Sequence, residues 1–156
     1  MTTPELEPTK DSTVSLREIT ADTVRTICDL SVMTSQKGFV APNAVSIAQA
    51  HFSDHAWFRA IYADDTPVGF MMLHDEPEKP EYYLWRMMID ARYQKMGFAR
   101  RAMELLIDHV RTRPNATELQ TSVVQDDGGP QGFYEGLGFA LTGDYEDKEA
   151  VMQLAL

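Results

Sequence analysis

The chain has 156 residues, a formal net charge of −10 and a single cysteine, Cys28. This length fits one domain, and one cysteine excludes a framework of intramolecular disulfides and is typical of a reducing compartment. A net negative chain repels nucleic acid and anionic membranes, and no apolar run approaches the roughly 18 residues of a membrane span. We therefore expect a cytoplasmic protein with no nucleic-acid or membrane partner.

The histidines give no metal-site pattern. His51 and His55 are four residues apart, but Phe52 occupies the position that glutamate takes in the HExxH zinc motif. The other two histidines, His74 and His109, are scattered along the chain, and a second cysteine is absent. The sequence therefore predicts no metal.

Hydrophobic periodicity predicts strands and helices after a polar, flexible N-terminal arm at residues 1–13. Thr20 and Asn43 are predicted helix N-caps, and Pro114 ends the most regular helix. No repeat or linker divides residues 14–156, which we expect to form one domain. In chain order the predicted elements are a strand over 14–19, a helix over about 20–33, a helix over about 43–50, a hairpin with strands over 57–62 and 68–73, a strand over 82–89, a helix from about 97, a strand over 118–124, a short helix over 130–137 and strands over 139–142 and 150–154. This order predicts an α+β or mixed α/β sheet.

The junction at residues 89–100 is the most informative part of the sequence. A strand ends at Ile89 and a helix begins near Gly97. The first amides of a helix have no partner within it and lie at the positive end of its dipole, so several of them can bind one phosphate. Gly97 would allow close approach, and Lys95 and Arg100 would add charge. The junction carries neither GK[ST] nor GxGxxG, which counts against a kinase and a dinucleotide oxidoreductase.

Basic residues are concentrated around this junction. Residues 92–113 include six basic and two acidic side chains, so this segment carries +4 and the rest of the chain −14. A compact anionic ligand would suit such a segment. On charge alone, however, a solvated helix face is the simpler explanation.

The same junction resembles the GNAT superfamily of N-acetyltransferases. The run Gln94-Lys95-Met96-Gly97-Phe98-Ala99 matches the Q/R-x-x-G-x-G/A signature of that superfamily. Residues 87–94 match the apolar strand that precedes it, which ends in a V/I-D-x-x-Y/F-R/Q pattern. Residues 133–139 supply the expected tyrosine-bearing helix before a glycine-phenylalanine pair.

The resemblance covers residues 14–156 and implies a mixed, mostly antiparallel sheet of six to seven strands flanked by about four helices. Residues 84–90 and the loop at 39–43 are most similar to the spermine/spermidine (diamine) acetyltransferase branch. This branch implies acetyl-CoA as cosubstrate, no metal, and direct attack by a primary amine of a polyamine or diamine. The sequence leaves a homodimer open.

The resemblance also implies roles for individual residues. Tyr134 would donate a proton to the departing CoA thiolate, as a phenol can, although packing beside Phe133 in the core is the alternative. Asp127 stands seven residues before Tyr134, where many members carry an asparagine that contacts pantetheine. The implied cofactor contacts are the backbone of Met87, Met88 and Ile89 for the acetyl-pantetheine arm, and the amides of Gln94, Lys95, Met96, Gly97, Phe98, Ala99 and Arg100 for the pyrophosphate.

The acceptor side is predicted from charge and position. Glu81, at the head of the strand that carries the acetyl contacts, is the candidate base that removes a proton from the amine, directly or through water. An exposed carboxylate in an acidic turn is an equal alternative. Glu78 in that turn would attract a polycation, and Phe39 and Trp85 are candidate walls of the substrate channel.

Several other functions stay open at this stage. A protein N-terminus, a lysine or an aminoglycoside is an alternative acceptor. A non-catalytic acetyl-CoA-binding module is an alternative that the presence of Tyr134 argues against. A nucleotide-binding regulator would need one of the two phosphate loops that the sequence lacks.

Overall fold

The computed structural model describes residues 6–156, which form one seven-stranded sheet with four α-helices. The strand order is β1-β2-β3-β4-β5-β7-β6, and every neighbouring pair is antiparallel except β4 with β5. The predicted mixed, mostly antiparallel sheet of six to seven strands with about four helices is confirmed for these residues. The elements are β1 (Val14–Arg17), α1 (Val24–Asp29), a 3₁₀ turn (Thr34–Gln36), α2 (Asn43–His51), β2 (Ala56–Ala63), β3 (Thr66–Glu76), β4 (Glu81–Ile89), a 3₁₀ turn (Ala91–Tyr93), α3 (Phe98–Arg111), β5 (Glu118–Val123), α4 (Gln131–Gly136), β6 (Ala140–Glu146) and β7 (Glu149–Ala155).

Helix α3 covers one face of the sheet through a stripe of apolar side chains. Met103, Leu106 and Val110 are fully buried in the core cluster on that face. A second cluster on the opposite face joins Ile27 of α1 to Phe70 of β3. Each such side chain stabilises the fold by about 1.5–3 kcal/mol on burial. No helix within residues 6–156 has the length and apolarity needed to cross a membrane.

Strands β4 and β5 separate almost as soon as they pair. Their register holds only Tyr83 opposite Gln120 and Leu84 opposite Thr121. Beyond this point β4 runs on to Ile89 without a strand partner on its β5 side among the described residues. The sheet therefore opens into a gap between two parallel strands.

A β-bulge lies at the start of this gap. Leu73 of β3 pairs with Leu84, but the preceding Met72 pairs with Arg86, so Trp85 is the extra residue. A bulge bends its strand and increases the local twist. The bend in β4 thus coincides with its separation from β5.

The first helix is shorter than the prediction of about residues 20–33. Helix α1 is Val24–Asp29, and Leu30 beyond it is extended, with φ −67° and ψ 134°. The amide of Ser31 donates to the buried carboxylate of Asp90 at 3.0 Å. This contact with the end of β4 takes the chain away from a helical path.

Both predicted N-caps are wrong. Thr23 holds the N-cap position of α1, and Pro42 holds that of α2. Asn43 is the first residue of α2, is only 2% exposed, and donates from its side chain to the carbonyl of Ile27 at 2.9 Å. A buried amide needs a hydrogen-bond partner, and Ile27 provides one that an N-cap position would not reach.

The second half of the predicted N-terminal arm is attached to α3. The guanidinium of Arg101 donates to the carbonyl oxygens of Lys10 and Ser12, and Ser12 is buried. The prediction of a flexible arm at residues 1–5 lies outside the described residues.

Candidate active site

A cavity of about 920 Å³ occupies the gap between β4 and β5. It is bounded by the second half of β4, the N-terminus of α3, helix α4, the segment around residues 36–42 and the turn between β6 and β7. A cavity of this size suits a cofactor-sized ligand. The separation of the two parallel strands is what creates it.

The predicted acetyl-pantetheine contacts lie along one wall. Met87, Met88 and Ile89 all line the cavity. Their strand is paired with β3 on one side only, so its other edge presents backbone donors and acceptors to the gap. One of these groups is already used, because the Gln94 side chain donates to the Ile89 carbonyl at 2.9 Å.

The predicted pyrophosphate contacts surround the N-terminus of α3. Gly97 is the N-cap with φ 81°, a conformation that glycine adopts without strain, and a Cβ built on it would meet no atom within 4 Å. The first helical hydrogen bond is the one from the Arg101 amide to the Gly97 carbonyl, which leaves the amides before it free of helical partners. Of the predicted residues, Gln94, Lys95, Gly97, Phe98, Ala99 and Arg100 line the cavity.

The basic segment is mostly engaged within the protein. Arg92 pairs with Asp90 at 2.8 Å, and Arg113 pairs with Asp75 at 2.9 Å. Lys95 differs, because no carboxylate of residues 6–156 lies within 4.0 Å of its ammonium. Lys95 is thus a cation beside the N-terminus of α3 that takes no part in an internal ion pair. A purely solvated helix face would not require a cation at this position.

Asp90 holds the end of β4 in place. Burial alone would raise the pKa of Asp90, but hydrogen bonds from Arg92 and from the Ser31 amide outweigh it and keep that pKa below its ordinary value. The carboxylate therefore stays ionised and joins α1, β4 and the loop before α3.

Tyr134 lies on α4, lines the cavity and is only 6% exposed. Its ring packs edge-on against Phe133 and Phe139, with centroids 5.2 and 5.4 Å away. Burial raises the pKa of the Tyr134 phenol, while a hydrogen bond with Thr121 acts in the opposite direction. The phenol is therefore protonated at neutral pH. Core packing and access to the cavity, posed as alternatives by the sequence, are both present.

The structure separates the four residues predicted for the acceptor side into two pairs. Phe39 and Trp85 line the cavity, whereas Glu78 and Glu81 do not. The Glu81 side chain is 47% exposed and lies 3.9 Å from the Lys79 ammonium. At about 3.3 Å per residue, Glu81 stands about 20 Å along β4 from Met87. It is therefore too far to take a proton directly from an amine that lies beside Met87.

Two predicted cofactor residues also lie outside the cavity lining. Met96 packs against the core cluster under α3 instead. Asp127 is absent from the lining, although the next residues, Gly128 and Gly129, are part of it. Gly129 has no room for a side chain, since a Cβ there would lie 2.9 Å from two backbone oxygens.

The sequence prediction missed an acidic group at the turn between β6 and β7. Glu146, Asp147 and Glu149 are the only carboxylates lining the cavity within the described residues. They face Tyr83, whose hydroxyl donates to Ser122. Burial raises the pKa of Tyr83, and the charges of Glu146 and Glu149 raise it further. No motif marks these residues, because their place in the site depends on β7 pairing with β5.

Comparison with known proteins agrees with this geometry. The model of the acetyltransferase (GNAT) family matches residues 25–139. The chain belongs to the GNAT acetyltransferase family. The gap between β4 and β5 and the glycine-led α3 are thus parts of a GNAT N-acetyltransferase.

Individual relatives are distant. The chain is 24% identical to the spermine/spermidine N(1)-acetyltransferase of Bacillus subtilis over 139 residues, which cover 85% of this chain and 91% of that protein. It superposes on spermidine N-acetyltransferase from Vibrio cholerae, solved with CoA and spermine, with a TM-score of 0.72 and 16% identity over 91% of this chain and 95% of that one. It also resembles Arabidopsis thaliana Naa50, solved with the bisubstrate analogue CoA-Ac-MVNAL, with a TM-score of 0.68 and 18% identity over 92% and 99%. The structural neighbours establish the fold.

Proposed function

We propose that this GNAT protein transfers the acetyl group of acetyl-CoA to a primary amine of a small polycation, a polyamine or diamine. The observation that carries the proposal is the separation of charge along the cavity. Lys95 and Arg100 lie where the helix N-terminus opens, and the three carboxylates lie at the β6–β7 turn, where Glu149 also acts on Arg86 of β4. An anionic cofactor and a cationic acceptor would each meet opposite charge. The 24% identical relative, which is named for spermine and spermidine, supports the same acceptor class.

The residues present fit acetyl-CoA. The open space at Gly97, the unpaired amides of the first turn of α3 and the Lys95 ammonium suit a pyrophosphate. The unpaired edge of β4 at Met87 and Met88 suits the amide-containing pantetheine arm, which can pair with it as a strand would. The cosubstrate supplies the activated thioester. The backbone of β4 orients it.

Tyr134 is the proposed proton donor. When the amine nitrogen bonds to the acetyl carbon and the carbon–sulfur bond breaks, the sulfur becomes a thiolate that needs a proton. The buried phenol of Tyr134 is protonated, faces the cavity and can supply it. Its ring is held by two aromatic neighbours, so its position is fixed before the cosubstrate binds.

We assign the acceptance of the amine proton to Glu149 in place of Glu81. Glu149 lines the cavity and is half-buried, whereas Glu146 and Asp147 beside it are exposed. Burial raises the pKa of Tyr83 and lowers that of Arg86, and the charge of Glu149 reaches both groups, adding to the first effect and opposing the second. The proton lost by the amine passes to this carboxylate directly or through water.

The test is release of CoA thiol from acetyl-CoA with a panel of amines: spermine, spermidine, short diamines, an aminoglycoside and an N-terminal peptide. We expect the highest kcat/KM with the polyamines or diamines. If CoA thiol is released only with the peptide or only with the aminoglycoside, that class of amine replaces the proposed acceptor. Binding of acetyl-CoA by calorimetry with no thiol release from any amine would support a binding module instead.

A further inference from the structure

A second group of ligand-type side chains lies outside the cavity, on the hairpin formed by β3 and β4. His74, Glu76 and Glu81, here called the hairpin cluster, each bring one ligand atom to within 4.8 Å of the other two. Nε2 of His74 lies 2.9 Å from Oε1 of Glu76. The acetyl-transfer chemistry proposed above uses none of these three side chains.

The hairpin itself produces this arrangement. His74 and Glu76 are two residues apart on β3, so they point to the same face of the sheet. Glu76 is directly opposite Glu81 in the antiparallel register, which brings those two side chains close together. The three groups are thus fixed by strand pairing and not by a flexible loop, and only 27% of the His74 side chain and 13% of the Glu76 side chain are exposed.

One cation already pairs with both carboxylates. The ammonium of Lys79, in the turn between the strands, lies 3.3 Å from Glu76 and 3.9 Å from Glu81. Its side chain is 62% exposed, and exposed ion pairs contribute little to stability. Lys79 can therefore leave into solvent at small cost when another cation arrives. A second imidazole, His55, stacks at a tilt against His74 with ring centroids 5.4 Å apart.

We propose that the hairpin cluster binds a divalent transition-metal ion, with Zn²⁺ as its typical occupant, in exchange for the Lys79 ammonium. One imidazole nitrogen and two carboxylate oxygens form a three-ligand set that zinc accepts, and water completes the fourth position. The imidazole favours zinc and its neighbours in the transition series over magnesium or calcium, which prefer oxygen ligands. This site is separate from acetyl transfer, so its test does not depend on the proposed function.

The experiment is calorimetric titration of the full chain with Zn²⁺, with Co²⁺ absorption spectra as a second readout of coordination. We expect one Zn²⁺ per chain, and His74→Ala and Glu76→Gln should each weaken binding by about 100-fold or more, since even the partners of metal ligands are worth about 10- to 100-fold. Glu78→Gln removes the same charge from the same turn without touching the cluster, and should leave the affinity within about twofold of wild type.

Lys79→Ala gives a test in the opposite direction. Because it removes the competing ammonium from an exposed turn, it should tighten Zn²⁺ binding several-fold without affecting folding. Two results would show a general attraction of Zn²⁺ to the acidic surface and overturn the proposal. One is stoichiometric Zn²⁺ binding that His74→Ala leaves intact, and the other is an equal loss of Zn²⁺ affinity in Glu78→Gln and Glu76→Gln. Failure of wild type and Lys79→Ala to bind Zn²⁺ at millimolar concentration would also overturn it.

Discussion

Tyr134 belongs to the hydrophobic core and also lines the cavity. The ring packs against Phe133 and Phe139, while burial raises the pKa of the phenol. The sequence motif was sufficient to predict this residue, because the tyrosine-bearing helix has a fixed place relative to the α3 glycine. The sequence also posed packing beside Phe133 as the alternative, and that packing is present.

Tyr134→Phe keeps the ring and removes the proton donor. We expect kcat to fall by about 10²- to 10⁴-fold, the range for loss of a general acid, with the Kd for acetyl-CoA changed by less than about threefold. Steady-state kinetics and calorimetry measure the two quantities. Tyr145→Phe is the matched control, since Tyr145 lies on β6 outside the cavity lining and is 63% exposed. Weakened acetyl-CoA binding with undiminished kcat would remove Tyr134 from the chemistry.

Glu81 and Glu149 show what residue-level reasoning cannot supply. Both glutamates lie in polar stretches of the sequence, and neither belongs to a motif. Glu81 is the first residue of the strand that holds the predicted acetyl contacts, but the extended strand places it about 20 Å from Met87. Glu149 is far from that strand in sequence and reaches the cavity only because β7 pairs with β5.

His109 makes the stability of the fold depend on pH, and this effect is independent of catalysis. Its ring stacks on Trp57 with centroids 4.4 Å apart, and its Nε2 is buried without a hydrogen-bond partner among the described residues. Burial lowers the pKa of His109, Asp75 acts against this, and Arg113 and Arg59 add to the lowering. In the unfolded chain, His109 therefore binds a proton at a higher pH than it does in the folded protein. As the pH falls below about 6.5, the free energy of unfolding should decrease until the pH reaches the pKa of His109 in the folded protein.

His109→Phe preserves an aromatic ring against Trp57 and removes this titration. Between pH 7.5 and 5.5, urea unfolding followed by tryptophan fluorescence should show a smaller loss of stability in the variant than in wild type. His51→Gln, which alters an exposed histidine, should retain the wild-type loss. An identical pH dependence in wild type and His109→Phe would contradict the assignment.

At the scale of elements, helix α3 and the short helix α4 were predicted close to their observed bounds, whereas α1 was not. Helix α3 follows its apolar stripe and ends at Arg111, shortly before Pro114. Helix α1 was overestimated because the buried Asp90 carboxylate binds the Ser31 amide and redirects the chain. That contact joins residues 59 positions apart, so no local pattern can reveal it.

The N-terminus of α3 can be tested with two substitutions that differ only in charge. Asparagine and aspartate both tolerate the positive φ of Gly97 better than other side chains. Both would project into the open space where the pyrophosphate is proposed to lie. Gly97→Asn should weaken acetyl-CoA binding, and Gly97→Asp should weaken it by a further factor of about ten or more, since its charge repels the pyrophosphate. Equal Kd values for the two variants by calorimetry would show that no phosphate binds there.

At the scale of the whole molecule, net charge and site charge give different information. The net charge of −10 argued only against polyanionic partners. The fold then distributes charge unevenly, with most of the basic segment paired internally, Lys95 beside the helix N-terminus and three carboxylates at the β6–β7 turn. Motif order predicted the family and the sheet. The polarity of the cavity required the topology β5-β7-β6, in which the chain's last hairpin returns beside the site.

The central claim is that the carboxylates of the β6–β7 turn select a polycationic amine. The most direct measurement gives the protein acetyl-CoA and an equimolar mixture of spermidine, putrescine, an aminoglycoside and an N-terminal peptide, and identifies the acetylated products by mass spectrometry. We expect acetylated spermidine or putrescine to dominate for wild type and for Asp144→Asn, an exposed change on β6 outside the cavity lining. In the double variant Glu146→Gln, Glu149→Gln, the ratio of acetylated spermidine and putrescine to the other acetylated products should fall by at least about tenfold. Acetylation of the peptide or the aminoglycoside in preference to the polyamines, or a preference unchanged in the double variant, would contradict the claim.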